Sequence, residues 1–149
     1  MGKILGIDFG KKRIGIAITD SKKMFAFPLK TVDNIEVFSF LKEFFLNEDI
    51  ESFVLGEPKT KKNTNNDLIT DIKKFSDKLK NEFRIPVYFV DERFTSKIAF
   101  QIILDANIKK MKRRDKSLVD KVSASLILET YLKKIKKWYC QYIFMEIQF

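Results

Sequence analysis

The sequence predicts a single α/β domain built on a mixed five-stranded sheet with helices on both faces. Three short strand-like segments come first along the chain. Apolar strands then alternate with segments of helical periodicity, so that the whole order reads βββαβαβαα. The length of 149 residues suits one compact domain. We therefore expect an antiparallel meander, β1 to β3, followed by βα units.

The meander is predicted from the first 32 residues. Residues 3–9 and 13–19 are apolar runs, and Gly10 lies in the short turn between them, which is typical of a β-hairpin. Residues 25–32 predict the third strand. Because Pro28 has no backbone N–H to donate, that strand is expected at an edge of the sheet.

The rest of the chain alternates helices with strands. Apolar residues at helical spacing predict the helices, and short apolar runs predict the strands. The segments are a helix at 35–47, a strand at 52–56, a helix at 64–83, a strand at 85–90, and helices at 95–106 and 117–137. Residues 1–137 then form the domain. The apolar C-terminal tail, 138–149, would pack back on the domain or meet a partner.

An excess of positive charge indicates a polyanionic partner, most simply nucleic acid. Lys and Arg total 29 against 20 Asp and Glu, for a net charge of +9. A merely Lys-rich proteome would give the same total. Three basic runs nevertheless adjoin the acidic residues discussed below: 11–13, 59–62 and 109–116. The candidate nucleic-acid-binding residues in them are Lys11, Lys12, Arg13, Lys112, Arg113 and Arg114.

Cysteine and histidine usage restricts the chemistry. The chain has one Cys, Cys140, and no His, so it can form no intrachain disulfide, no ordinary zinc site and no histidine base. Any metal would be held by carboxylates, which favours Mg²⁺ or Mn²⁺. Asp8 interrupts the first apolar run too early for a signal peptide, and no stretch is long enough to span a bilayer. We expect a soluble, cytoplasmic monomer or homodimer without a membrane partner.

Three carboxylates stand at or inside apolar strands. Asp8 lies within an apolar run, where a charge is costly unless it is compensated; the alternative is an Asp that binds backbone amides of the Gly10 turn. Asp91 and Glu92 close a later strand, at the end where α/β sheets usually bind ligands. Since neighbouring strand residues point to opposite faces, we expect only one of them in the site and the other to pair with Arg93.

Two further acidic residues are candidates. Asp120 shares a helical face with Ala124 and Ile127, which predicts that it points inward, although with Ser117 it also fits a capping box. Glu57 closes the fourth strand and could join Asp8, or it could be a solvated loop residue.

Converging carboxylates repel each other unless a cation neutralises them. Two Mg²⁺ or Mn²⁺ ions about 4 Å apart could activate water and stabilise the leaving oxygen of a phosphodiester. The candidate catalytic residues are Asp8, Asp91, Glu92 and Asp120, and the candidate metal ligands are Asp8, Asp91 and Asp120. The residues thus predict a metal-dependent nuclease, a hydrolase of endo- or exonucleolytic action.

Three stretches resemble motifs of the YqgF family, whose members are described as candidate Holliday junction resolvases or candidate pre-16S ribosomal RNA nucleases. Residues 6–20, GIDFGKKRIGIAITD, resemble the opening motif, and 91–96, DERFTS, the second. Asp120-Lys121 with the apolar positions up to Leu132 resembles the third. The resemblance spans roughly residues 1–135. It implies a ribonuclease H-like fold and a cytoplasmic role in maturing the 5′ end of small-subunit ribosomal RNA.

The resemblance also implies a site. Its acidic residues would be Asp8, one of Asp91 or Glu92, and Asp120, while Arg13 and Arg93 match motif positions that bind phosphate or hold the site. Two departures concern the fourth strand. Glu57 stands where the family usually has an apolar residue, and the loop after it has no Gly where the family usually has one.

Three other functions compete with this interpretation. Actin-like ATPases and sugar kinases share a related hairpin but need two such domains, and this chain has the length of one. A Holliday junction resolvase would use the same carboxylates on branched DNA and would favour a symmetric dimer. A non-catalytic RNA-binding ribosome assembly factor would keep the fold without turnover, and intact acidic residues argue against it.

Overall fold

The computed structural model describes residues 2–58, 66–92, 95–106 and 116–147. Five strands form one sheet in the order β3-β2-β1-β4-β5. The strands are β1 (Lys3–Asp8), β2 (Arg13–Thr19), β3 (Ala26–Asp33), β4 (Ile50–Pro58) and β5 (Val87–Glu92). The helices are α1 (Val37–Phe44), α2 (Asn66–Phe83), α3 (Thr95–Asp105) and α4 (Lys116–Ile147). The predicted fold class and element order are confirmed.

The sheet is mixed in the way the sequence predicts. β1 pairs with β2, and β2 with β3, in antiparallel orientation, whereas β1–β4 and β4–β5 are parallel. β3 is an edge strand, and Pro28 lies in it beside a shift of register. An edge is the place in a sheet that tolerates a residue without a backbone donor.

The two faces of the sheet carry separate cores because strand side chains alternate. Leu5 and Ile7 of β1 pack against α1 and α2. Ile4 of β1, by contrast, belongs to the cluster under α4, with Ala17, Val54, Val90, Ala124, Ile127, Leu128 and Leu132. The face of the sheet that α4 covers is called the α4 face below. This alternation decides which acidic residues can share a site.

Eight of the 15 phenylalanines belong to the core under α1 and α2. The Phe83 ring lies 4.5 Å from that of Phe45 and 5.6 Å from that of Phe53, measured between ring centroids. Phe38 stacks on Phe83 and meets Phe75 edge to face. Tilted and edge-to-face contacts of this kind are the favoured aromatic geometries.

Two helices differ from their predicted bounds. The segment at 35–47 begins with a 3₁₀ turn, Asn34–Glu36, before α1. The last helix, predicted to end near Lys137, continues to Ile147, because residues 116–147 contain neither Gly nor Pro to end it. Among the described residues, no helix has the length and apolar character needed to cross a membrane.

The turn between β2 and β3 is built around Asp20. Its carboxylate accepts hydrogen bonds from the backbone N–H groups of Phe25, Met24 and Lys22, at 2.8, 2.9 and 3.2 Å. These bonds stabilise the charged form. The Phe25 N–H contributes most, and together the bonds lower the pKa of the Asp20 carboxyl from its usual value of 3.8.

Candidate active site

Asp8 is the last residue of β1, next to the parallel strand β4. It is half-buried and pairs across the hairpin with Gly15 of β2. Because Ile4 faces α4 and the intervening register on β1 is regular, Asp8 lies on the α4 face. This position gives a carboxylate at the carboxyl end of the central strand, partly withdrawn from water.

Gly15 brings the first turns of α4 into contact with the sheet. A Cβ at position 15 would collide with the backbone carbonyl of Asp120, and a Cβ at Gly6 would lie 2.8 Å from the Cβ of Leu128. Only residues without a side chain leave room for the helix there. Since Gly15 is the pairing partner of Asp8, the same contact brings Asp120 beside the end of β1.

Arg13 fixes the carboxylate of Asp120. Its Nε donates to Oδ2 of Asp120 at 3.0 Å, and the two side chains are 34% and 25% exposed. The hydroxyl of Thr31 donates to the Ser117 carbonyl and so ties the start of α4 to β3. Asp120 therefore points toward the sheet, as its helical spacing predicts.

The acidic residues of β4 and β5 lie on different faces. Glu57 pairs in register with Asp91, and both are exposed. Val90 is buried against α4, so alternation places Asp91 on the opposite face, and Glu57 shares that face with Leu55. The structure thus brings neither Glu57 nor Asp91 to the α4 face. The side chain of Glu92 lies outside the described residues; its backbone belongs to β5, two positions after Val90.

The β1–β2 turn presents lysines beside Asp8. The side-chain amide of Asn34 donates to the Gly10 carbonyl at 2.8 Å, and its backbone N–H donates to the Lys12 carbonyl at 2.9 Å. These two bonds hold the turn against the end of β3. Lys11 and Lys12 are exposed on it, as a nucleic-acid contact requires.

An open groove of about 580 Å³ extends from this turn to α2, on the face opposite α4. Three lysines line it: Lys11, Lys74 and Lys78. The Lys78 ammonium lies 4.2 Å from the centre of the Phe38 ring. Sequence reasoning missed Lys74 and Lys78. Their spacing of four residues on an exposed helical face was the available signal, but it does not say what they face.

Several predicted binding residues cannot be placed. Arg93, Lys112, Arg113, Arg114 and the basic loop 59–62 all lie outside the described residues. Their roles stay predictions from the sequence.

The described donors suit a hard cation. Within residues 2–58, 66–92, 95–106 and 116–147, no three acidic or Cys side chains form a metal-binding group. The backbone of Asp120 lies over Gly15, the pairing partner of Asp8. Mg²⁺ is commonly bound by one or two carboxylates together with water and substrate phosphates. Carboxylate oxygens of this kind suit a hard divalent cation.

Residues 2–134 match the family model of RuvX, described as a Holliday junction resolvase. The chain belongs to the RuvX family. This confirms the resemblance seen in the motifs, since RuvX and YqgF name the same family. RuvX membership also confirms the expectation of a nuclease-type hydrolase.

Curated relatives agree with the RuvX assignment. A protein of Christiangramia forsetii is 45% identical over 133 residues, which cover 89% of this chain and 98% of the relative. A protein of Porphyromonas gingivalis is 47% identical over 133 residues, covering 89% and 96%. Both are named "Putative pre-16S rRNA nuclease".

Solved structures support the fold of this RuvX chain. It is similar to Thermus thermophilus RuvC in complex with a Holliday junction substrate, with a TM-score of 0.55 and 16% sequence identity, over 90% of this chain and 96% of that one. The likeness confirms the ribonuclease H-like fold.

Proposed function

We propose that this protein is a metal-dependent nuclease that hydrolyses phosphodiester bonds in the 5′ leader of pre-16S ribosomal RNA, in the cytoplasm. The observation that carries the proposal is the position of Gly15, which pairs with Asp8 across the hairpin and lies under the backbone carbonyl of Asp120. Two acidic residues from distant parts of the chain are thus placed beside the same glycine, next to a turn with two exposed lysines. Such a site attracts a phosphate backbone and can share a cation with it.

Glu92 is our candidate for the third carboxylate. The prediction from the sequence left Asp91 and Glu92 open. Asp91 lies on the face away from Asp8, whereas position 92 follows Val90 by two residues in a regular strand. Alternation therefore favours Glu92 as the partner of Asp8 and Asp120.

Each residue has a distinct task in this proposal. Asp8, Asp120 and Glu92 would hold Mg²⁺ or Mn²⁺. The bound ion lowers the pKa of water and offsets charge on the phosphodiester. Arg13 is a positioning residue, since its ion pair orients the Asp120 carboxylate. No histidine is available, so the proton chemistry falls to carboxylates and water.

The lysine-lined groove extends the substrate path. Lys11 belongs both to the turn after Asp8 and to the groove, so a nucleic-acid strand that leaves the carboxylates over the turn would reach Lys74 and Lys78. Each ammonium can neutralise one phosphate and release its counterions. We propose that this groove binds the backbone of the strand flanking the scissile bond.

The names of the curated relatives favour RNA over DNA as the substrate. These relatives match this chain over nearly their whole length, and they are named as nucleases of pre-16S ribosomal RNA. The alternative, cleavage of branched DNA, is favoured by the description of the family model. A non-catalytic RNA-binding assembly factor is the third possibility, and it predicts binding that survives loss of the carboxylates.

One experiment separates the three. Purified protein is incubated with a pre-16S RNA carrying its 5′ leader, and in parallel with a four-way DNA junction, in Mg²⁺, Mn²⁺ or EDTA. We expect metal-dependent RNA cleavage that is lost in Asp8→Asn and Asp120→Asn. Cleavage of the junction alone would establish the resolvase. Equal RNA binding by all variants without any cleavage would establish the assembly factor.

A further inference from the structure

The apolar stripe of α4 continues past the sheet. Up to Leu132, residues at helical spacing on this helix are buried against the α4 face. The same stripe goes on with Ile135, Trp138, Tyr139, Tyr142, Ile143 and Met145, and all six side chains are exposed. Trp138 is 75% exposed, Tyr139 66% and Tyr142 63%. Among the described residues, the stripe has no element packed on it beyond Leu132.

The opposite side of the helix carries lysines just beyond the domain. Lys133, Lys136 and Lys137 lie there, and Cys140 follows them on the same side. Up to Cys140, the apolar stripe and these lysines therefore lie on different sides of the helix. The RuvX match ends at residue 134, immediately before the stripe begins.

We propose that this stripe, Ile135 to Met145, is the interface of a homodimer in which the α4 helices of two copies pack antiparallel. The six side chains expose on the order of 700 Å², which is close to the roughly 800 Å² that each partner buries in a stable protein–protein interface. In a dimer with a two-fold axis, the stripe of one copy packs against the same stripe of the other copy. The inference does not depend on the proposed nuclease function.

Charge favours the antiparallel order. The stripe begins beside a turn with four lysines, 133, 134, 136 and 137, and it ends near Glu146. A parallel pair would set the two lysine-rich turns against each other. An antiparallel pair centred between Trp138 and Tyr142 sets each lysine-rich turn beside Glu146 of the other copy. It also places Trp138 opposite Tyr142.

The stripe is remote from the carboxylates. Tyr142 follows Asp120 by 22 residues on one helix, which corresponds to about 33 Å at 1.5 Å per residue. The second copy would therefore leave the site of each chain open. Glu146 lies at the end of the stripe, and a carboxylate there disfavours the anionic lipid surface that lysines and aromatics could otherwise bind.

The test compares the full-length chain with two double variants by light scattering after size exclusion, over a concentration series. We expect the wild-type protein to be a dimer, with twice the chain mass of 17.6 kDa. The double variant Trp138→Glu, Tyr142→Glu should be a monomer, with the mass of one chain. Thr130→Glu with Cys140→Glu, at two exposed positions on the opposite side of the same helix and outside the lysine-rich turn, should stay dimeric. Circular dichroism and thermal unfolding show that each variant is folded.

Two results would overturn the proposal. One is wild type that remains monomeric throughout the series, whether or not it sediments with phosphatidylglycerol vesicles. The other is a folded Trp138→Glu, Tyr142→Glu variant that remains dimeric. Cleavage per chain should be equal in all three proteins, so a failed nuclease assay and a failed dimer are separate findings.

Discussion

Gly15 of β2 lies directly beneath the backbone carbonyl of Asp120, with no room for a methyl group between strand and helix. The contact joins residues 105 positions apart in the chain. It also determines how closely α4 approaches the sheet next to Asp8, the pairing partner of Gly15. A glycine without a functional group thus determines where a carboxylate of the candidate site stands.

Gly15→Ala should therefore damage both stability and activity. The added methyl group forces α4 away from β2, and overpacking of this kind costs about 1–3 kcal/mol of unfolding free energy. Urea denaturation measures the loss, and a cleavage assay on the folded fraction measures the displacement of Asp120. Ala17→Gly on the same strand is the control, with a cost of about 1 kcal/mol and little change in cleavage. Wild-type stability in Gly15→Ala would contradict the close contact.

The Arg13–Asp120 pair predicts a small effect on stability and a larger one on activity. Because both side chains are partly exposed, a double-mutant cycle of Arg13→Gln and Asp120→Asn should give a coupling of no more than about 1 kcal/mol. Loss of cleavage in Arg13→Gln should exceed that in Lys12→Gln, its exposed neighbour. Zero coupling together with a weaker RNA affinity would instead show that Arg13 only binds phosphate.

The groove predicts a salt-dependent effect of Lys74 and Lys78. The double variant Lys74→Ala, Lys78→Ala should weaken RNA binding and lower the slope of log affinity against log salt by about 1.4, the value for two lost phosphate contacts on a single strand. Fluorescence anisotropy over a salt series measures both quantities. Lys136→Ala with Lys137→Ala, near the other end of the molecule, removes the same charge without changing the slope. Equal slopes in both variants would exclude the groove from the substrate path.

Asp20 predicts a pH dependence of stability. Its folded pKa is lowered, so its stabilisation is complete above the unfolded pKa near 3.8 and is lost as the pH falls through the folded value. Asp20→Asn should therefore be less stable than wild type at neutral pH, and the difference should shrink in acid. Urea denaturation across that pH range checks it. A difference that is constant with pH would show that the turn does not depend on the charge.

Much of the fold follows from local patterns. The hairpin around Gly10, the edge position of the strand with Pro28, and the alternation of later strands and helices all depend on neighbouring residues, and the structure confirms them. The predicted end of α4 near Lys137 was too early. The aromatic residues after Lys137 were interpreted as a separate tail, although no Gly or Pro ends the helix there.

The site depends on tertiary packing that local patterns do not contain. Alternation predicts that neighbouring residues of β5 face opposite ways, but only the packing of Val90 against α4 shows which face of that strand is covered. Likewise, Lys74 and Lys78 have the pattern of an ordinary solvated helix surface until the fold places them in a groove with Lys11.

The most direct test of the central claim compares two adjacent carboxylates, with leader-RNA cleavage measured in Mg²⁺ under single-turnover conditions. If the site lies on the α4 face, Glu92→Gln should lower the cleavage rate by about 10²-fold or more, whereas Asp91→Asn should stay close to wild type. Thermal unfolding of both variants controls for folding. A severe loss in Asp91→Asn with an active Glu92→Gln would contradict the account, because it would move the site to the face opposite α4.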